Sequence, residues 1–204
     1  MQTILISGFK AFHTHSYNVT ELLVRRLESQ PQSDFVIRTV VLPVVRWESV
    51  QILSSAITTH KPDAIIALGQ SRRSGISLER LALNCDHFKI PDNAGNQPLN
   101  ASIVDDGPVS YRSSLPLKAL FVALSKAHIP VHYSDTAGSY VCNHLFYGLM
   151  HTLSHTSLNA GFVHMPMLPE QINHPDHPSL AFDTQLQALK LMLDTLNLHL
   201  NRSG

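Results

Sequence analysis

The chain opens with two hydrophobic patterns that alternate. The continuous apolar runs TILISGF, FVIRTVVLPV and DAIIALGQ are typical of strands buried on both faces of a mainly parallel sheet. Between them, residues 18–29 and 47–60 carry apolar side chains at helical spacing. This part of the chain is therefore predicted to be strand, helix, strand, helix, strand.

The second half of the chain continues the alternation. A helix is predicted in SLPLKALFVALSKAH, where Ser114 is the expected capping residue and a proline lies in the first turn. A short strand IPVHYS, an apolar helix over 141–155, a strand NAGFVHMP and a closing amphipathic helix over 184–200 follow. The pattern predicts one α/β domain over 1–204, a three-layer α/β/α sandwich around a mostly parallel twisted sheet.

The middle of the chain, residues 72–111, breaks this alternation. Its segments KIPDNAGNQPLN and VDDGPVSY are rich in Pro, Gly, Asn and Asp, which favour turns. We therefore expect a central excursion from the sheet, as a hairpin or a loop. Long irregular segments are costly to order and are often functional, so this excursion is a candidate part of the site.

Composition narrows the range of partners. Apolar residues make up 44% of the chain, charged residues 15%, and the formal net charge is zero, with no block of like charge. These values argue against a nucleic-acid partner and favour a small or neutral molecule. The sequence shows no basic leader and no apolar stretch of the roughly 18 residues that span a membrane, so we expect a cytoplasmic protein without a membrane partner.

Cys142, in SYVCNHLFYGLMH, is one of only two cysteines and is expected in the first turn of a helix, with Ser139 as its N-cap. A disulfide with Cys85 is not expected in a reducing compartment. The positive end of the helix dipole lowers the pKa of a thiol and favours a nucleophile. Free cysteines are also often buried and inert, so position alone leaves both interpretations open.

A cysteine nucleophile needs a base, and the chain offers 13 histidines. His144 lies two residues beyond Cys142, a helical spacing that points the two side chains to different sides. His164 ends the strand GFVHMP, and the carboxyl ends of parallel strands surround the ligand crevice. His164 is therefore the better candidate, although a structural histidine is an open alternative.

Glu79 lies among apolar residues in ISLERLALN, where an unpaired carboxylate would be expensive to bury. A carboxylate can hold a catalytic imidazole in one tautomer and stabilise its protonated form. A salt bridge to a neighbouring arginine explains a buried glutamate equally well. The residues alone do not separate these two roles.

A metal site would need ligands from one helix face, which His144, His151 and His155 could provide. No Asp or Glu lies between Asp135 and Glu170, so the HExxH arrangement is absent. SGF and LGQ also lack a glycine-rich phosphate fingerprint. We therefore expect neither a catalytic metal nor a nucleotide cofactor.

Four segments carry a family resemblance. They are GFKAF, ISLERLALN with the following KIPDNAGNQP, DTAGSYVCNHLFYGLMH and FVHMPMLPEQ, and they occur in this order over residues 4–171. In that order they resemble the N-terminal loop, acidic segment, nucleophile segment and histidine segment of pyroglutamyl peptidase I, also called pyrrolidone-carboxylate peptidase. Agreement over several long segments is far more specific than any single Cys or His.

The resemblance implies a cysteine peptidase that removes an N-terminal pyroglutamyl residue from peptides and uses no cofactor. Carried over by position, Cys142 is the nucleophile, His164 the general base and acid, and Glu79 the group that orients His164. Cys142 would attack the pyroglutamyl carbonyl and form a thioester acyl-enzyme, which water would hydrolyse. The family also implies a homo-oligomer, often a tetramer.

The resemblance further implies how the substrate is bound. A pyroglutamyl terminus has a lactam in place of a charged amine, so its site needs apolar walls and a few amide partners. Phe9 and Phe12 are placed along the ring, and the main chain near Gln70 and Val141 meets the lactam. Ordinary loop and core packing of these four residues is the open alternative.

The chain departs from the family pattern at three places. Ala11 and His13 flank the second phenylalanine, where the family has proline and glycines, and SRRS, with Arg72 and Arg73, replaces a small, glycine-rich stretch. Lys89 replaces an arginine expected to stabilise the oxyanion or position substrate, which keeps the charge but loses the planar fork of donors. These departures raise two alternatives, a thiol hydrolase for another small amide and a binding protein without turnover.

Overall fold

The computed structural model describes residues 1–12, 16–29, 34–172, 174 and 176–203. Eight strands are found in this part of the chain: β1 (Thr3–Phe9), β2 (Val36–Leu42), β3 (Ala64–Ser71), β4 (Ile76–Glu79), β5 (Leu81–Leu83), β6 (Ser110–Arg112), β7 (Val131–Ser134) and β8 (Asn159–Pro166). The α-helices are α1 (Val19–Glu28), α2 (Glu48–His60), α3 (Leu117–Lys126), α4 (Val141–Thr152) and α5 (Phe182–Ser203). One 3₁₀ turn, Pro169–Gln171, follows β8.

A six-stranded sheet with the order β2-β1-β3-β8-β4-β7 forms the middle layer. Strands β2, β1, β3 and β8 are parallel to one another, whereas β4 and β7 are parallel to each other and β4 runs antiparallel to β8. The sheet is therefore mostly parallel, as predicted. Its central strands β1, β3 and β8 are apolar along most of their length because both faces are covered by helices.

Alternate residues of β1, β2, β3 and β8 enter two separate hydrophobic cores. On β1, Ile4 and Ile6 pack into the core beneath α1, α3 and α5, whereas Leu5 packs into the core beneath α2 and α4. The predicted three-layer α/β/α arrangement is confirmed.

Within the described residues, no helix is long and apolar enough to cross a membrane.

The central excursion is also confirmed, but it begins later than expected. The four residues of β4 are all buried and form an inner strand of the sheet, inside the stretch predicted to leave it. Strands β5 and β6 then pair antiparallel and enclose the long irregular segment between them. The strand was missed because it is short and carries the polar side chains of Ser77 and Glu79.

The predicted cap of the third helix was wrong. Helix α3 begins at Leu117 after Pro116, and no side chain caps it. The Ser114 hydroxyl instead donates to the Leu158 carbonyl oxygen (2.8 Å) and accepts from the Ala160 backbone N–H (2.8 Å). Ser114 therefore fastens the segment before α3 to the start of β8, a long-range role that a local capping rule does not anticipate.

Candidate active site

Cys142 is the second residue of α4; it forms no disulfide, and the residue as a whole is partly exposed. The chain turns into this helix at Gly138, whose φ of +85° is readily adopted only by glycine. Ser139 was predicted as the N-cap, but Tyr140 occupies that position and the Ser139 hydroxyl donates to the His87 carbonyl oxygen (3.0 Å). Ser139 therefore ties the entry to α4 to the central excursion.

The thiol lies directly over the end of β3. A Cβ added to Gly69 would come within 3.0 Å of Cys142 Sγ and 2.6 Å of Phe162 Cζ, so only glycine leaves room for the sulfur. Gly69 is the register partner of His164 on the neighbouring strand β8. The fold thus brings the Cys142 thiol over Gly69, the strand neighbour of His164, although Cys142 and His164 are 22 positions apart in the sequence.

His164 is held by a buried carboxylate. Its Nδ1 lies 2.7 Å from Glu79 Oε1, and both side chains are almost completely inaccessible to solvent. Glu79 ends β4, which runs antiparallel beside β8, so the two residues come from neighbouring strands. With Nδ1 engaged by Glu79, Nε2 is the ring nitrogen left to exchange a proton with a thiol.

Arg73 completes this cluster and was not assigned a role from the sequence. Its Nη1 donates to Glu79 Oε1 (2.7 Å) and to Ser134 Oγ (2.8 Å), and its Nη2 donates to the Thr136 carbonyl oxygen (2.7 Å). Glu79 therefore makes both contacts that were treated as alternatives, the imidazole and a nearby arginine. An arginine close to a buried glutamate was the available signal, but it did not distinguish Arg73 from Arg72.

The pKa of the Cys142 thiol is raised from 9.0 to about 12, first by burial and then by the negative charge of Glu79. The positive charge of Arg73 acts in the opposite direction. The pKa is therefore shifted in the direction opposite to the one expected from the helix start, with burial as the largest cause. At neutral pH the thiol is protonated and depends on a base to become nucleophilic.

This protonation state can be measured directly. Thiolate absorbance in the ultraviolet, taken as the difference between the wild type and Cys142→Ala, should appear only at alkaline pH because the pKa lies near 12. The folded-state pKa is above the unfolded value, so the thiol's contribution to stability should be lost as the pH rises from about 9 towards 12. Thiolate absorbance already present at neutral pH would contradict this account.

A cavity of about 450 Å³ adjoins the thiol. Four of the five residues predicted to bind substrate line it, namely Phe9, Phe12, Gln70 and Val141, and Cys142 lines it too. The Gln70 side-chain oxygen accepts from the Val19 backbone N–H (2.9 Å) and from Gln171 Nε2 (3.2 Å). These contacts fix the Gln70 side chain at the wall of the cavity.

Tyr140 forms a further wall that the sequence did not indicate. Its ring lies 5.2 Å from that of Phe12 and 4.5 Å from that of Phe88, and its hydroxyl donates to the Pro91 carbonyl oxygen (3.0 Å). Burial raises the pKa of this tyrosine, which keeps it neutral. An aromatic wall fixed to the excursion therefore faces the cavity.

The roles expected at two positions flagged from the sequence are not tested by the structure. Lys89 is exposed and does not line the cavity, although the next residue, Ile90, does. The expected contact between Lys89 and a substrate therefore stays a prediction. His13 lies outside the described residues, so its effect on the loop after Phe12 stays a prediction as well.

His144 belongs to a separate buried network. Its Nδ1 lies 2.8 Å from Asp86 Oδ2 and its Nε2 accepts from the Trp47 backbone N–H (3.0 Å), so both ring nitrogens are engaged. Arg46 Nη2 lies 3.0 Å from the same Asp86 oxygen. His144 therefore joins the start of α2 to α4 and the excursion, and it has no nitrogen left to act as a base.

The other histidines considered for a metal site also have ordinary surroundings. His151 Nδ1 lies 2.8 Å from the Tyr111 hydroxyl, and His155 is exposed beyond the end of α4. Among the residues that the structure describes, no group of three or more His, Cys, Asp or Glu side chains could hold a metal ion.

Replacing His144 with alanine should reduce stability without removing the chemistry. The change leaves the buried Asp86 carboxylate short of a partner, so we expect a loss of about 3 kcal/mol in the free energy of unfolding, measured by urea titration. The exposed His155→Ala variant should change it by less than about 0.5 kcal/mol. Loss of turnover in folded His144→Ala protein beyond about tenfold would instead give His144 a direct part in catalysis.

A thiol placed at a helix start next to an imidazole that a buried carboxylate orients is the arrangement of cysteine hydrolases. Comparison with known proteins makes the class specific. The family model described as pyroglutamyl peptidase matches residues 2–197 of the chain. The chain belongs to the pyroglutamyl peptidase family.

Curated relatives and solved structures agree with this assignment. The pyrrolidone-carboxylate peptidase of Vibrio parahaemolyticus is 43% identical over 193 residues, which cover 94% of this chain and 91% of that protein. The crystal structure of pyroglutamyl peptidase I from Bacillus amyloliquefaciens superimposes with a TM-score of 0.93 at 37% identity and 98% coverage of both chains. Pyrrolidone carboxyl peptidase from Thermococcus litoralis gives a TM-score of 0.94 at 30% identity, covering 100% of this chain and 97% of that one.

Proposed function

We propose that this protein is a cysteine peptidase that removes an N-terminal pyroglutamyl residue from peptides, with Cys142 as nucleophile. The observation that carries the proposal is the meeting of Cys142 with the His164–Glu79 pair beside a largely apolar cavity. The names of the relatives point to the same substrate.

The proposed reaction begins with proton transfer from Cys142 Sγ to His164 Nε2. The transfer is needed because burial keeps the thiol protonated, and it is favoured because Glu79, 2.7 Å from Nδ1, stabilises the imidazolium that forms. The thiolate then attacks the pyroglutamyl carbonyl carbon. Backbone N–H groups in the first turn of α4, which lack helical partners, are the donors that we assign to the developing oxyanion.

The second half of the reaction uses the same residues. His164 returns its proton to the departing amine as the C–N bond breaks, which leaves a pyroglutamyl thioester on Cys142. Water, deprotonated by His164, attacks the thioester and releases pyroglutamate and the free thiol. Arg73 is the positioning residue in this scheme, since its hydrogen bonds to Glu79, Ser134 and Thr136 fix the carboxylate against the imidazole.

The cavity suits a lactam better than a free amino terminus. Phe9 and Phe12 would flank the ring, and the main chain at Gln70 and Val141 would meet its amide. The lining residues within the described part of the chain include no Asp or Glu. An ammonium group would therefore lose its hydration there without gaining an ion pair, which disfavours ordinary peptide amino termini.

The test is release of a fluorescent amine from L-pyroglutamyl, L-prolyl and L-alanyl amides. We expect a preference for the pyroglutamyl amide of about 100-fold or more, because the other two present a charged amine. Preference for a prolyl or alanyl amide would favour a different thiol hydrolase. No pyroglutamyl turnover above that of Cys142→Ala would overturn the proposal and favour a binding protein.

We also propose that the chain acts as one domain over 1–204, in the cytoplasm, and as a homo-oligomer, with the tetramer as the state expected from the family. The family match over nearly the whole chain supports a single domain, and a thiol nucleophile suits a reducing compartment. Light scattering after size-exclusion chromatography measures the assembly. A monomer at micromolar concentration would contradict the oligomer.

A further inference from the structure

Among the residues that the structure describes, Arg72 is the single charged side chain that lines the cavity. The other lining residues are apolar, aromatic or neutral polar groups, and none is an acid. Arg72 is exposed, and it makes no hydrogen bond or ion pair with the described residues. Its neighbour Arg73 differs in this respect, because that guanidinium is committed to Glu79, Ser134 and Thr136.

The position of Arg72 in the chain limits how far it can lie from the reacting bond. It follows Gly69 by three positions, and three residues span at most about 11 Å. Gly69 lies against the thiol, since a Cβ added there would be 3.0 Å from Cys142 Sγ. The bond to be cleaved must lie at this sulfur, and Arg72 lines the same cavity as Cys142, so the Arg72 side chain lies within reach of a residue next to that bond.

We propose that Arg72 determines specificity by binding a carboxylate on the residue that follows pyroglutamate. This inference rests on the proposed function. The carboxylate has two possible sources, the free C-terminus of a pyroglutamyl dipeptide and the side chain of an acidic second residue. A guanidinium suits either, because its planar donors match the two carboxylate oxygens. None of the described residues that line the cavity is an acid, so no carboxylate of the cavity wall competes for the guanidinium.

The experiment compares kcat/KM for four substrates: pyroglutamyl-alanine, pyroglutamyl-alanine amide, pyroglutamyl-glutamate amide and pyroglutamyl-glutamine amide. The first pair isolates the terminal carboxylate, and the second pair isolates the side-chain carboxylate. We expect the acidic member of at least one pair to be preferred by about 5- to 10-fold, the range of a partly exposed ion pair. The pair that shows the preference identifies the source.

Substitutions connect the preference to Arg72. In Arg72→Gln the ratio should fall to near 1, and Arg72→Lys should keep part of it because the charge remains without the planar donors. Lys10→Gln is the matched control, since Lys10 is an exposed cation next to Phe9 but does not line the cavity. This control should keep the wild-type ratio. An equal fall in Lys10→Gln would show a general charge effect and overturn the proposal.

The remaining outcomes are also decisive. A wild type that cleaves all four substrates equally overturns the role of Arg72 and leaves the proposed function standing, whereas one that cleaves none overturns both. If Arg72→Gln does not fold, the salt dependence of the wild-type preference is measured instead. The kcat/KM ratio within the preferred pair should approach 1 as NaCl rises from about 0.05 to about 1 M, because salt screens the ion pair. A ratio that does not change with salt overturns the proposal.

Discussion

Replacing Cys142 with alanine is expected to lower kcat/KM for a pyroglutamyl amide by at least about 10⁴-fold, because it removes the atom that forms the acyl-enzyme. Cys142→Ser should lose almost as much, since a hydroxyl at this position is still harder to deprotonate than the thiol. The fold should survive both changes, because the side chains are small and Cys142 is partly exposed. Amine release measures the activity, and circular dichroism confirms the fold.

The second cysteine provides the matched control for this prediction. Cys85 is also free and partly buried, but it does not line the cavity. Cys85→Ala should therefore keep kcat/KM within about twofold of the wild-type value. Turnover that persists in Cys142→Ala, or that disappears in folded Cys85→Ala, would contradict the assignment of the nucleophile.

Replacing Glu79 with glutamine should lower kcat by about 10³-fold. The amide has nearly the same shape, but it lacks the charge that stabilises the imidazolium, and its NH₂ group can donate to His164 Nδ1 and favour the wrong tautomer. KM should change much less, since Glu79 does not line the cavity. Steady-state kinetics on the pyroglutamyl amide separate the two constants.

The control for Glu79 is an acid of the same type outside the site. Glu48, exposed at the start of α2, should tolerate substitution by glutamine with kcat unchanged. A Glu79→Gln enzyme with wild-type kcat would show that the carboxylate serves only to balance the charge of Arg73. A loss confined to KM would move Glu79 from the chemistry to substrate binding.

The order of elements could be predicted because buried parallel strands require long apolar runs. Strand β4 could not, since it has only four residues and two of them are polar. The partners that satisfy these polar residues inside the sheet are distant in sequence. Ser77 Oγ lies 2.9 Å from His132 Nε2, and Glu79 contacts His164. Hydrophobic patterns do not record such pairings.

Predictions based on neighbouring residues were wrong where contacts with residues distant in sequence took their place. Both serines expected to cap helices bond to backbone groups far along the chain, Ser114 to Leu158 and Ser139 to His87. The expected low pKa of Cys142 failed for a related reason, because it considered only the helix start and not the burial that the whole fold imposes. The dominant effect arises only after tertiary packing.

In the candidate site, too, some residues could be predicted from the sequence and others could not. Cys142 and His164 could be proposed from their positions at a helix start and a strand end, and the family motifs added Glu79. Arg73 could not be given a role from the sequence because two of its three partners, Ser134 and Thr136, approach it only in the folded chain. The different surroundings of the two arginines also arise only in the folded chain: Arg73 is engaged with Glu79, whereas Arg72 lines the cavity.

Labelling with a pyroglutamyl halomethyl ketone tests the central claim most directly, because the reagent requires both recognition of the lactam and a reactive nucleophile. Peptide mass spectrometry then locates the label. We expect one equivalent of label on Cys142, loss of activity in proportion to labelling, and an unmodified Cys85. Inactivation that leaves Cys142 unmodified, or labelling of Cys85 in its place, would contradict the assignment of Cys142 as the nucleophile.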